Sequence, residues 1–94
     1  MSRPRIDPEV AAREDFRKEV RVQRAELDMT QRELATAIGV VPSVMSQLLS
    51  NPDKISMGRL RKMVAVLGIN PMVVLAFLGY SQREIRKYFT EKEG

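Results

Sequence analysis

The chain has 94 residues, a net charge of +4, a sequence pI near 9.9, and neither cysteine nor histidine. That length makes one domain with a modest core, and the missing residue types exclude disulfides, thiolate or imidazole metal ligands and the commonest nucleophiles and bases. The remaining carboxylates, hydroxyls and lysines show no activating partner in sequence, so neither enzymatic activity nor a cofactor is expected.

Hydrophobic residues at 44% and charged residues at 30% describe a folded globule, too apolar for wholesale disorder. No stretch approaches the roughly 18 apolar residues of a membrane span, and the opening MSRPRIDPEV has no apolar run of signal-peptide length. A cytoplasmic protein without membrane contact is expected. The excess of positive charge suits an anionic partner if it is gathered on one surface.

Residues 1–7 read as a flexible basic arm. The first helix begins with Asp7 as cap and Pro8 in the first turn, where the missing N–H costs nothing. Phe16, Val20 and Leu27 recur near helical spacing as its inner face, and the mixed charges at Glu14, Arg17, Lys18 and Arg21 read as a solvated one. Thr30 and Glu33 form a capping-box pattern that starts a second helix at Gln31, and Gly39 ends it. A third helix opens with Pro42 and runs to about Leu49, before the turn residues SNPD. Ser56 caps a fourth, ended by Gly68; Asn70 and Pro71 open a fifth, PMVVLAFL, closed by Gly79; Ser81 and Glu84 start a last one. No segment alternates with period two, so the fold is expected to be all-α.

The stretch TQRELATAIGVVPSVMSQLL holds two short helices joined by three or four residues. Leu34, Ala35 and Ile38 form the inner face of the first, with Val44 or Met45 and Leu48 for the second. The small Ala35 allows a close, steep crossing, and Gly39 allows the reversal. Such a pair cannot bury itself alone, so the flanking helices complete the core and leave one helix standing proud. A helix about 10–12 Å wide fits the DNA major groove, and its first turn reaches deepest.

With those residues in place, TQRELATAIGVVPSVMSQLLSNPDKISMGRLRKMVAVLGI resembles the lambda-repressor/Cro-like (XRE-type) helix-turn-helix DNA-binding family, over residues 20 to about 78. The resemblance rests on Arg24, Met29, Thr30, Gln31, Leu34, Ala35, Gly39, Val40, Met45 and Ser46 falling in register with the later ISMGRLRKMVAVLGI. It implies a five-helix DNA-binding domain over residues 8–79, with the helix-turn-helix at about 31–49 and a helical extension at 80–94. It further implies that Val41, Pro42, Ser43, Ser46 and Gln47 face bases, and that Gln31, Arg32 and Lys54 lie near phosphates. The chain departs from the family pattern at Asp28, where a helix-ending glycine is usual, and in NPDK, where Asp53 places a negative charge near the expected phosphate path. Pro42 and Ser43 offer no bidentate readout, so specificity would rest on Gln47, on methyl contacts from Val41 and on DNA shape.

The run Met72 to Leu78 is apolar on every side of its helix, so something beyond the core must cover it. The last helix or a second copy would do so, and Phe77, Tyr80, Ile85, Tyr88 and Phe89 are the candidates for a homodimer contact. The expected function is that of a sequence-specific double-stranded DNA-binding regulator, a repressor of phage, plasmid or mobile-element type. Two alternatives are an antitoxin whose C-terminal part also clamps a toxin, and a protein-interaction module that keeps the fold without binding DNA.

Overall fold

The computed structural model describes residues 7–81 and 83–87, and among them all regular structure is helical. Residues 1–6 of the expected arm, and Tyr88 and Phe89, lie outside the described residues. Five helices follow in order: α1 (Pro8–Glu26), α2 (Gln31–Ile38), α3 (Pro42–Ser50), α4 (Met57–Leu67) and α5 (Pro71–Phe77). A further helical stretch, α6, spans 83–87.

The helix starts use the caps read from the sequence. Asp7 accepts the Glu9 N–H at 2.8 Å, Ser56 accepts that of Arg59 at 3.3 Å, and Asn70 accepts that of Met72 at 2.9 Å. The capping box of α2 is complete: the Glu33 N–H donates to the Thr30 hydroxyl at 3.0 Å, and the Thr30 N–H donates to the Glu33 carboxylate at 3.1 Å. The Thr30 backbone N–H, and after it the Thr30 side chain, hold the Glu33 carboxyl below its ordinary value against an opposing desolvation.

The ends of α1 and α2 share one device. At α2, Gly39 is left-handed (φ 79°), its N–H reaching the Thr36 carbonyl and the Val40 N–H the Ala35 carbonyl. Asp28 does the same after α1: φ is 52°, and Met29 donates back to the Arg24 carbonyl at 2.8 Å. Asp28 is thus a glycine-like stop built from an L-residue, which carries a Cβ into a region where only small polar side chains are tolerated.

The core gathers Phe16 and Val20 of α1, Leu34, Ala35 and Ile38 of α2, Met45 and Leu48 of α3, Leu60, Met63 and Leu67 of α4, and Ile69. Helix α2 packs on α3 and α4, while α1 packs chiefly on α5. The Phe16 and Phe77 rings stack with centroids 4.4 Å apart, and the Glu19 carboxylate accepts the Asn70 N–H at 2.7 Å, anchoring the start of α5 to the middle of α1.

One sequence expectation needs correction. Leu27 is 50% exposed rather than part of the inner face, because α1 ends at Glu26 and the chain turns away through Asp28. The expected turn at SNPD takes the form of one turn of 3-10 helix, Pro52–Lys54, with Pro52 buried. Among the candidates for covering α5 or meeting a second copy, Ile85 is 2% exposed within its own chain and Phe77 stacks on Phe16. Coverage of α5 is partial all round: Met72 to Phe77 are each half-buried, and none is fully enclosed.

Candidate nucleic-acid interface

The placement of α3 follows from its neighbours. Helices α2 and α3 meet at 100°, with Ala35 fully buried where their backbones approach. Met45 and Leu48 turn inward against α2, which rotates the remaining face of α3 away from the core. On that face Val41 is 59% exposed, and Pro42, Ser43, Ser46 and Gln47 are all exposed. Five expected base-facing residues therefore share one outward edge. Pro42 occupies the first helical position and Val41 the cap, with no side chain bonded over the end of the helix. Pro42 has no N–H and the Val44 N–H turns back to the Val41 carbonyl at 3.0 Å, so the Ser43 N–H is the first-turn donor left for an anionic acceptor.

The expected phosphate-side residues flank this edge. Gln31 stands at the N-terminus of α2 and donates through Nε2 to the Ser46 hydroxyl at 3.0 Å, a bond that bridges the two helices. Ser46 is consequently a support for Gln31 as well as part of the outer face. Arg32 is exposed one residue on. Lys54 is exposed in the 3-10 turn that follows α3, and it has no ion pair among the described residues. The neighbouring Asp53, whose charge stands near the expected phosphate path, is paired with Arg13 of α1 at 3.1 Å. Sequence reasoning missed that pairing, since it spans 40 residues and no local pattern announces it.

No cluster of candidate metal ligands occurs among the described residues. Nor is any single helix there long and apolar enough to cross a membrane.

A helix-turn-helix family profile of the lambda-repressor/Cro type matches residues 20–74, more than half of the chain. The chain belongs to the XRE-type helix-turn-helix family. No curated protein and no solved structure gave a match. The matched span begins at Val20, as the sequence resemblance does, and stops within α5, four residues short of the expected limit at 78. This helix-turn-helix domain is a DNA-binding transcription-regulator domain rather than a member of an enzyme family.

Proposed function

We propose that the protein is a repressor that occupies a specific double-stranded DNA site as a homodimer. The single observation behind this reading is the outward edge of α3, where Val41, Pro42, Ser43, Ser46 and Gln47 are exposed together while Met45 and Leu48 anchor the helix from behind. Inserted into the major groove, that edge offers Gln47 to an adenine and the Val41 methyls to a thymine, with Ser43 and Ser46 as adaptable donors. Gln31, Arg32 and Lys54 set the register from the backbone side. With only one good bidentate reader per copy, affinity for one sequence over another depends on doubling the site and on the local deformability of the DNA. Occupying a promoter in this way excludes polymerase without any chemistry.

Selection of binding sequences from random duplexes tests this directly. The expected result is an enriched motif of two inverted half-sites with centres about one helical turn, roughly 10 base pairs, apart. Retention of DNA without enrichment of any motif would defeat the claim of specificity, and a lone asymmetric motif would defeat the claim of a dimer.

A further inference from the structure

The positive charge on α1 has an order that the mixed-charge pattern conceals. Arg17, Arg21 and Arg24 recur at i, i+4 and i+7, which places them along one face of the helix. That face lines a groove of about 280 Å³ whose opposite wall is α3. Gln31, Ser46 and Ser50 complete its polar lining. Three guanidiniums meet there a single carboxylate, Glu14, which bonds to Arg17 at the exposed end at 3.0 Å. Arg24 is the one of the three with a buried, unpaired nitrogen. One of its terminal nitrogens makes only a long bond, 3.5 Å, to the Met29 carbonyl, and its Nε is buried without a hydrogen-bond partner among the described residues. A buried guanidinium N–H left unpaired costs free energy unless an acceptor arrives to take it.

We propose that this groove is a phosphate seat, and that it takes a backbone phosphate of DNA outside the segment read by α3. The inference rests on the DNA-binding reading and extends the contact surface from the helix-turn-helix to α1. Two features favour a phosphate over other anions. A guanidinium fork matches phosphate oxygens in bidentate geometry, and the row supplies three such forks in an open trough that a polymer can traverse. The groove also shares Gln31 and Ser46 with the reading surface, so a strand lying against α3 has a continuous polar path into it. The arginines extend the run of cations beyond Lys54 and Arg32, and each one that meets a phosphate releases condensed counterions on binding.

The test is the salt dependence of DNA binding by the full chain. Arg17 and Arg21 are the residues to change, because Arg21 is exposed and Arg17 nearly so. The doubly substituted R17Q/R21Q protein is expected to bind its selected site and random duplex more weakly by similar factors. The magnitude of its log–log salt slope should fall by about 0.9 for each phosphate that is no longer neutralised. Arg21→Lys, which keeps the charge, should retain most of the slope. The doubly substituted R83Q/R86Q protein, an equal loss of charge on α6, should leave it unchanged. A slope that survives the R17Q/R21Q substitution overturns the proposal, as does an equal fall with R83Q/R86Q. Tripolyphosphate serves as the probe for a free-phosphate site. If it perturbs the NMR signals of Arg17 and Arg21 while both substitutions leave DNA affinity intact, the groove binds a small phosphorylated ligand and the DNA assignment is wrong. If the unmodified chain binds no duplex even at low salt, the DNA-binding reading itself fails, an outcome distinct from all of these.

Discussion

At the scale of single residues, the proposed function divides the surface around α3 into groups that would choose a sequence and groups that would hold the strand. Gln47→Ala is expected to cost about 1–3 kcal/mol on the selected site and little on random duplex, as titrations on both DNAs would show. Lys54→Ala should weaken both alike and lower the salt slope by about one. If the two variants behaved identically on every DNA, Gln47 would not be a base reader. The Thr30–Glu33 box supports the same surface from beneath. Thr30→Ala removes a cap worth about 1 kcal/mol, readable in chemical denaturation. The depressed Glu33 carboxyl gives that box a pH dependence with a definite sign. Its contribution is complete above the ordinary carboxylate value and fades as acid protonates Glu33 through its lowered folded value. The deficit of a Glu33→Gln variant should therefore shrink toward strongly acidic pH, and a deficit that grew there would contradict the arrangement.

At the scale of elements, the sequence showed most of what is local. Thr30, Ser56, Asn70, Gly39 and Gly68 mark helix ends because capping is decided within a few residues, and all five perform that role in the fold. The outer edge of α3 was legible for the same reason, since burying Met45 and Leu48 at helical spacing determines what remains outside. Contacts between distant segments were not legible. Neither the Arg13–Asp53 pair nor the Glu19 bond to Asn70 follows from any periodicity, and the arginine row on α1 resembles solvated charge until α3 is set opposite it. Asp28 lies between these cases, since its left-handed backbone could be suspected from the missing glycine. Asp28→Gly should relieve that conformation and raise stability by roughly 0.5–1 kcal/mol, measured as a higher Tm. In the opposite direction, Ala35→Leu forces branched bulk into the α2–α3 crossing. A loss of about 1–3 kcal/mol is expected, with DNA binding impaired on every sequence because the whole edge of α3 is displaced.

At the scale of the whole molecule, the proposed contact with a second copy centres on the end of α5. Among the described residues there, Ile85 is enclosed and Phe77 stacks on Phe16, while Leu78 and Tyr80 are 43% and 52% exposed and open to a partner. On the homodimer reading, Tyr80→Glu is expected to shift the sedimentation-equilibrium mass toward the monomer and to weaken binding to the paired half-sites far more than to one half-site. A mass that is monomeric in the unmodified protein at every concentration would remove that reading.

The partnership between α1 and α5 has a consequence for how the polypeptide is made. Helix α1 leaves the ribosome well before the fifth helix it mainly docks on, so until then it has little to close against, whereas α2, α3 and α4 are sequential neighbours that can meet as they emerge. A nascent chain halted before Asn70 therefore lacks both the backbone group that Glu19 grips and the ring that Phe16 stacks on. Ribosome stalling or a premature stop at that point should leave an opening helix that proteases cut readily, and the few residues from Asn70 to Phe77 act as the latch that closes the product.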